Sequence, residues 1–317
     1  MRAKPILAIS AACLISFATQ AYADDHNWYP SKFGADDQAG ASNLMTPDKV
    51  MQAIKLIKQG KTVSLARTYE AEMPLFGHRV FAVRATNGLA GGPFGENSVI
   101  WMDDFLATEI GQVGTQFDGL GHIGIGGDPD RFYNGIPASE AVGPTGMKKL
   151  GMEHVKPFFT RGVVLDLKGL KGRSLELGEE VTVKDLQDAM ARQKLSAITE
   201  GDVVILYTGW SENWIKDNAK FNSGEPGIGM EAAQWLVDQG VAVVGSDAWA
   251  VEVVPNPDKN AAFPVHQLLL TKNGIFIHEN VASERLVNAG VSEFAYIFNP
   301  LAVKGATGSP GNALAAY

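Results

Sequence analysis

Apolar and polar positions change rhythm along this chain, and the changes lay out its elements. Val50, Ile54 and Ile57 recur at helical spacing behind Thr46, a capping residue, and Pro47, which suits a first turn, so a helix is expected there until Gly60 stops it. Residues 62–68 alternate like a strand, and the apolar run from Ser98 to Met102 predicts another. Val163 to Leu167 reads as a short buried strand, and residues 184–193 as a helix with Thr182 as its cap. A strand at 202–208, a helix at 229–239 closed by Gly240 and a strand at 241–245 then follow in order, the signature of a right-handed parallel crossover. Its strand ends, Thr208-Gly209-Trp210 and Ser246-Asp247, are where an open α/β sheet builds a pocket. Further on, a short helix is expected from Val265 and a strand from Gly274 to Asn280, while the surface stretch 28–41, the segments 73–78 and 128–135 and the tail 305–312 read as loops.

The first 23 residues follow a different logic. Arg2 and Lys4 precede an apolar run from Ile6 to Phe17, and Ala21-Tyr22-Ala23 stands before Asp24-Asp25, the pattern of a secretory leader cut after Ala23. The chain is therefore expected to be exported, to the periplasm or outside the cell, with residues 24–317 as one domain. Cys13, the one cysteine, would leave with the leader, and the mature chain then has no disulfide or thiol chemistry. Loss of Arg2 and Lys4 takes the formal charge from −8 to −10, which argues against nucleic acid or anionic lipid as a partner. The apolar run is too short to span a membrane, and a small molecule is the expected partner.

Chemistry concentrates in residues 111–122, GQVGTQFDGLGH. Extended geometry carried through this stretch would set Gln112, Gln116 and Asp118 on one face, with glycines letting the backbone bend and His122 arriving after the bend. A carboxylate and an imidazole so close together can supply a metal ligand and a proton shuttle, or they can be a satisfied polar strand end. His266 and Glu279, 13 positions apart on successive elements, leave the same choice open. His78 either lines a pocket or faces solvent from its loop. Phe76, Trp210 and Trp249 are candidates for a pocket wall or for the core. A serine nucleophile has no support, because the chain contains no Gly-x-Ser-x-Gly elbow.

Taken together, these segments resemble the cyclase family that includes bacterial kynurenine formamidase and isatin hydrolase, over most of the mature chain. The family signature His-x-Gly-Thr-His-x-Asp-x-Pro-x-His aligns with Gln112 to His122. Thr208-Gly209-Trp210, Gly245-Ser246-Asp247, the His266 segment, Glu279-Asn280 and Gly308-Ser309-Pro310 resemble further family landmarks in the same order. The resemblance implies an α/β swivelling β/β/α fold, a homodimer or homotetramer, and hydrolysis of amides, lactams or related cyclic and formylated compounds. It also implies a divalent metal held by Asp118, His266 and Glu279, with His122 moving protons. Gln112 and Gln116 stand where the family has ligand histidines, and Leu120 replaces a proline. A neutral amide oxygen is a harder, weaker ligand than imidazole, so Mn²⁺ is expected to be favoured over Zn²⁺. The same substitutions keep an alternative in view, an exported binding protein that has lost the metal.

Overall fold

A computed structural model of the protein describes residues 26–86 and 91–317, so the expected leader and its cleavage site lie outside the described residues. Nine strands form one mixed sheet in the order Thr62–Ser64, Leu314–Ala316, Glu293–Phe298, Phe158–Asp166, Val203–Tyr207, Val243–Ser246, Phe276–Glu279, Gln116–Asp118 and Gly308–Pro310. The four strands from Phe158–Asp166 to Phe276–Glu279 run parallel, and both flanks are antiparallel. The expected crossover is present, with helix Met230–Asp238 between the parallel strands Val203–Tyr207 and Val243–Ser246.

The central strands are covered on both faces, and their alternation divides the core in two. Val203 and Ile205 face an aromatic cluster with Phe117, Phe158, Phe276, Phe294 and Tyr296. Val204 and Leu206 face an aliphatic cluster that takes in the helices Val183–Gln193 and Met230–Asp238. A parallel sheet covered on both sides needs near-continuous apolar strands, and these runs provide them. The first of those helices is fixed by a reciprocal cap in which Thr182 and Asp185 satisfy each other's end groups.

Four expectations need correcting. Helix Pro47–Ile54 starts as predicted, with Thr46 accepting from Lys49 N, but its inward face is Lys49 and Ala53 while Ile54 is exposed. The Lys49 ammonium is buried because Asp202, fully buried beside Arg161, gives it a carboxylate 2.7 Å away, and a paired charge can be buried where a lone one cannot. The strand predicted over 62–68 is only three residues long. The run Ser98–Met102 is not a strand and carries only an isolated antiparallel bridge from Val99 to Phe94; the strand is Asp104–Thr108, which forms a separate two-stranded hairpin with Phe81–Ala85. The glycine-rich tail is not simply loop, because Gly308–Pro310 pairs with Gln116–Asp118 and completes the sheet edge that carries the site.

Candidate metal centre

The site forms where the antiparallel strand Gln116–Asp118 lies beside the parallel strand Phe276–Glu279, with Gln116 opposite Glu279 and Asp118 opposite Ile277. Alternation puts Gln116, Asp118 and Glu279 on one face and turns Phe117 and His278 into the aromatic core. His278 therefore stays out of the site although it precedes Glu279. Its ring bonds Tyr296 Oη at 3.0 Å and Gly311 O at 2.9 Å, and burial holds its pKa down at about 4.

Gln112 reaches the same face by a turn and not by extended geometry. Gly111 and Gly114 adopt left-handed φ of 76° and 61°, and a Cβ on Gly111 would sit 2.2 Å from the backbone of Gly308. The turn brings the Gln112 amide onto the end of the strand.

Asp118, His266 and Glu279 are all buried, and each offers a ligand atom within 4.8 Å of the others. His266 Nε2 lies 3.3 Å from Glu279 Oε1 and 3.8 Å from Asp118 Oδ2, and His122 Nε2 lies 3.9 Å from the same Oδ2. Asp118 Oδ2 has no hydrogen-bond partner. A buried carboxylate oxygen left bare costs free energy, and a cation would satisfy it.

The glutamines turn their nitrogens to this cluster. Gln112 Nε2 donates to Asp118 Oδ1 at 2.7 Å, and Gln116 Nε2 donates to Glu279 Oε2. The oxygen of Gln112 accepts from Arg79 Nη2 at 3.0 Å. As placed, both amides orient the carboxylates.

A residue not anticipated from the sequence, Glu252, holds His266. Its Oε1 lies 2.6 Å from His266 Nδ1 and accepts the His266 backbone N–H at 3.0 Å, which leaves Nε2 facing Asp118 and Glu279. This is how a metal-binding imidazole is usually oriented. The chain makes room for it with Val251 and Phe263 at φ of 61° and 50°, a left-handed conformation that a β-branched valine resists. The signal in sequence was a lone carboxylate inside the apolar run 250–254.

The charges show the same shortage of cation. Burial works against protonating His266, yet its bonds to Glu252 and Glu279 lift its pKa to about 10. Burial and then the Asp118 charge raise Glu279. Burial also raises Glu225, whose carboxylate accepts from the Trp249 and Ala250 amides. Each shift favours the protonated form of a group that burial or a neighbouring carboxylate surrounds with too little positive charge, and for Glu225 and Glu279 burial is the larger cause. Two carboxylates, one of them with an unsatisfied oxygen, and one imidazole fit a divalent cation.

The cluster opens into a cavity of about 180 Å³. Phe76 and Trp249 stack at 4.6 Å on one side, Phe263 continues the wall, and Arg79 lies over the Phe76 ring. Burial lowers the His122 pKa and outweighs the opposing pull of the Asp118 charge, with His266 and Arg79 adding smaller contributions in the same downward direction, so the ring facing the cavity is neutral at neutral pH. Trp210 is core, packed with Trp214 and Phe221, and His78 is exposed. The strand ends expected to form a pocket brace each other instead, Asp247 accepting from Thr208, Gly209 and Ser211.

Comparison with known proteins gives the family and the fold. A family model described as "Putative cyclase" matches residues 63–253. A crystal structure described as that of a novel cyclase is 35% identical, covers 90% of this chain and 96% of its own, and superposes with a TM-score of 0.81. Isatin hydrolase A from Ralstonia solanacearum is 21% identical over 80% of this chain and 91% of its own, with a TM-score of 0.61. An isatin hydrolase bound to the product analogue thioisatinate is 17% identical over 86% and 98%, also at 0.61. These last two likenesses concern the fold. No curated protein matches the sequence.

Proposed function

The chain belongs to the cyclase family, and from that membership we propose that it is a metal-dependent hydrolase of a small cyclic amide, formamide or lactone, splitting a C–N or C–O bond with water. The observation that carries the proposal is the bare Oδ2 of Asp118, buried against His266 and Glu279 beneath an aromatic cavity. Asp118, His266 and Glu279 are the ligands, and Gln112 and Gln116 hold the two carboxylates in place. A divalent cation bound there supplies a more acidic water and a polarised substrate carbonyl, together worth several kcal/mol of barrier.

The remaining work falls to the chain's own side chains. Phe76, Trp249 and Phe263 give a flat substrate ring one continuous aromatic wall and exclude water from that side. Among the described residues the Arg79 guanidinium has one hydrogen bond, to Gln112, so its other donors are available to a substrate oxygen. His122 takes a proton from the attacking water and delivers it to the departing nitrogen or oxygen, while the acyl carbon gains the hydroxyl. Its lowered pKa suits the first of these acts at neutral pH. Export with loss of residues 1–23 is part of the same proposal.

The amides at positions 112 and 116 favour one second reading, an exported small-molecule binding protein without turnover. Dialysis against chelator, metal analysis and a screen of cyclic amides, formamides and lactones separate the two. The hydrolase reading expects activity that disappears with chelator and returns with Mn²⁺ or Zn²⁺. Ligand binding with no turnover in the metal-loaded protein would establish the second reading.

A further inference from the structure

Phe263 borders two cavities. One is the cavity of about 180 Å³ that opens on His266 and Glu279, and the other, of about 190 Å³, is walled by Val253, Val254, Ala261 and Ala262 together with Phe263. Among the described residues Phe263 alone belongs to both linings. Two polar residues complete the second lining, and both are already engaged. Glu252 turns its carboxylate to the Val265 and His266 amides and to His266 Nδ1, and Asn256 Oδ1 accepts from the Asp258 amide at 2.9 Å. The second cavity therefore suits an apolar group.

An apolar cavity of ~150 Å³ holds a benzene ring, so the first cavity takes one ring and little more. Joined, the two reach the ~300–1,000 Å³ of an ordinary ligand pocket. Phe263 is held where it stands, with edge-to-face contacts to Trp249 at 6.4 Å and to His266 at 5.5 Å between ring centres. Its backbone is left-handed, at φ 50° and ψ 48°, although the following Pro264 favours an extended residue before it. Strain of this kind persists where the surroundings over-determine it, and it gathers at ligand sites.

We propose that Phe263 sets the size of the ligand: it divides one apolar trough in two, so that the site buries a single ring and leaves any apolar substituent of that ring in solvent. Within the hydrolase reading the substrate is then a small cyclic amide, formamide or lactone without a bulky apolar branch. Selection by size rests on the first cavity's receiving the ring, as that reading holds, and it needs no turnover.

Calorimetric titration with benzamide and with its meta- and para-phenyl derivatives, on protein with and without Mn²⁺, is the test. The unmutated protein is expected to bind neither phenyl derivative more tightly than benzamide. Phe263→Ala is expected to bind at least one of them about 10–100-fold more tightly than the unmutated protein does, as burial of a further ring requires, with benzamide little changed. Ala261→Leu fills the second cavity and is expected to abolish that gain when added to Phe263→Ala. Should Phe263→Ala fail to fold by circular dichroism, Phe263→Gly replaces it, since glycine accepts the left-handed φ without strain. A phenyl derivative that the unmutated protein already binds about tenfold more tightly than benzamide overturns the proposal. So does a folded Phe263 variant that gains nothing, or a gain that survives Ala261→Leu. Benzamide bound by the unmutated protein neither with nor without Mn²⁺ overturns it together with the reading of the cavity as the site of a ring. The expected binding pattern in a protein that hydrolyses none of the screened compounds upholds it while the hydrolase reading falls.

Discussion

Glu252 Oε1 lies 2.6 Å from Nδ1 of His266, a pairing between residues 14 positions apart that leaves the other ring nitrogen turned toward Asp118 and Glu279. The carboxylate fixes both the ring's orientation and its tautomer. Replacing Glu252 with Gln is expected to weaken divalent-metal affinity about 10–100-fold. Calorimetric titration with Mn²⁺ reads this, and unchanged affinity would show that His266 is held by something else.

Gln116 sits opposite Glu279 and gives it an amide N–H. A Gln116→His variant places an imidazole there, and the preference for Zn²⁺ over Mn²⁺ is expected to rise about tenfold. Competition between the two ions measures it. If the ratio does not move, position 116 does not reach the ion.

His122 faces the cavity and is the nearest imidazole to Asp118 outside the ligand set. His122→Ala is expected to lower kcat by about 10²–10⁴-fold with metal content unchanged. Because burial lowers this pKa, the neutral, proton-accepting form persists below the ordinary histidine range, near 6.5. The acidic limb of kcat/KM is therefore expected below pH 6.5, and a limb above it would assign the proton to another group.

His278 is fully buried, with a folded-state pKa of about 4 against about 6.5 in the unfolded chain. Between those values the unfolded state binds more protons, so stability contributed by the neutral ring is present above pH 6.5 and is lost as pH falls toward 4. The loss amounts to about 3 kcal/mol. Urea unfolding of the metal-free protein across that window should show it, and His278→Gln should flatten the slope.

Much of this arrangement was legible in the sequence where one local rule decides. Thr46-Pro47 and Thr182 mark helix starts because capping is settled within four residues. Asp118, His266 and Glu279 were found by the order of landmarks. The rest depends on partners far along the chain. The run Ser98–Met102 is apolar yet exposed beside a hairpin separate from the main sheet, so hydrophobicity misplaced its strand by several residues. Gly308–Pro310 has loop composition but is a strand because Gln116–Asp118 offers it an edge. Glu252 carried no motif, only the anomaly of a charge in an apolar run, and His278 differs from Glu279 only by which side of the strand it takes.

Titration of chelator-stripped protein with Mn²⁺, followed by heat and by proton release, asks whether Asp118, His266 and Glu279 hold a cation. One ion per chain at micromolar affinity or tighter is expected, with protons released because His266 and Glu279 carry raised pKa values before it binds, and with binding lost in Asp118→Asn. Failure to bind either Mn²⁺ or Zn²⁺ at micromolar concentration, or equal binding by the Asp118→Asn protein, would contradict it.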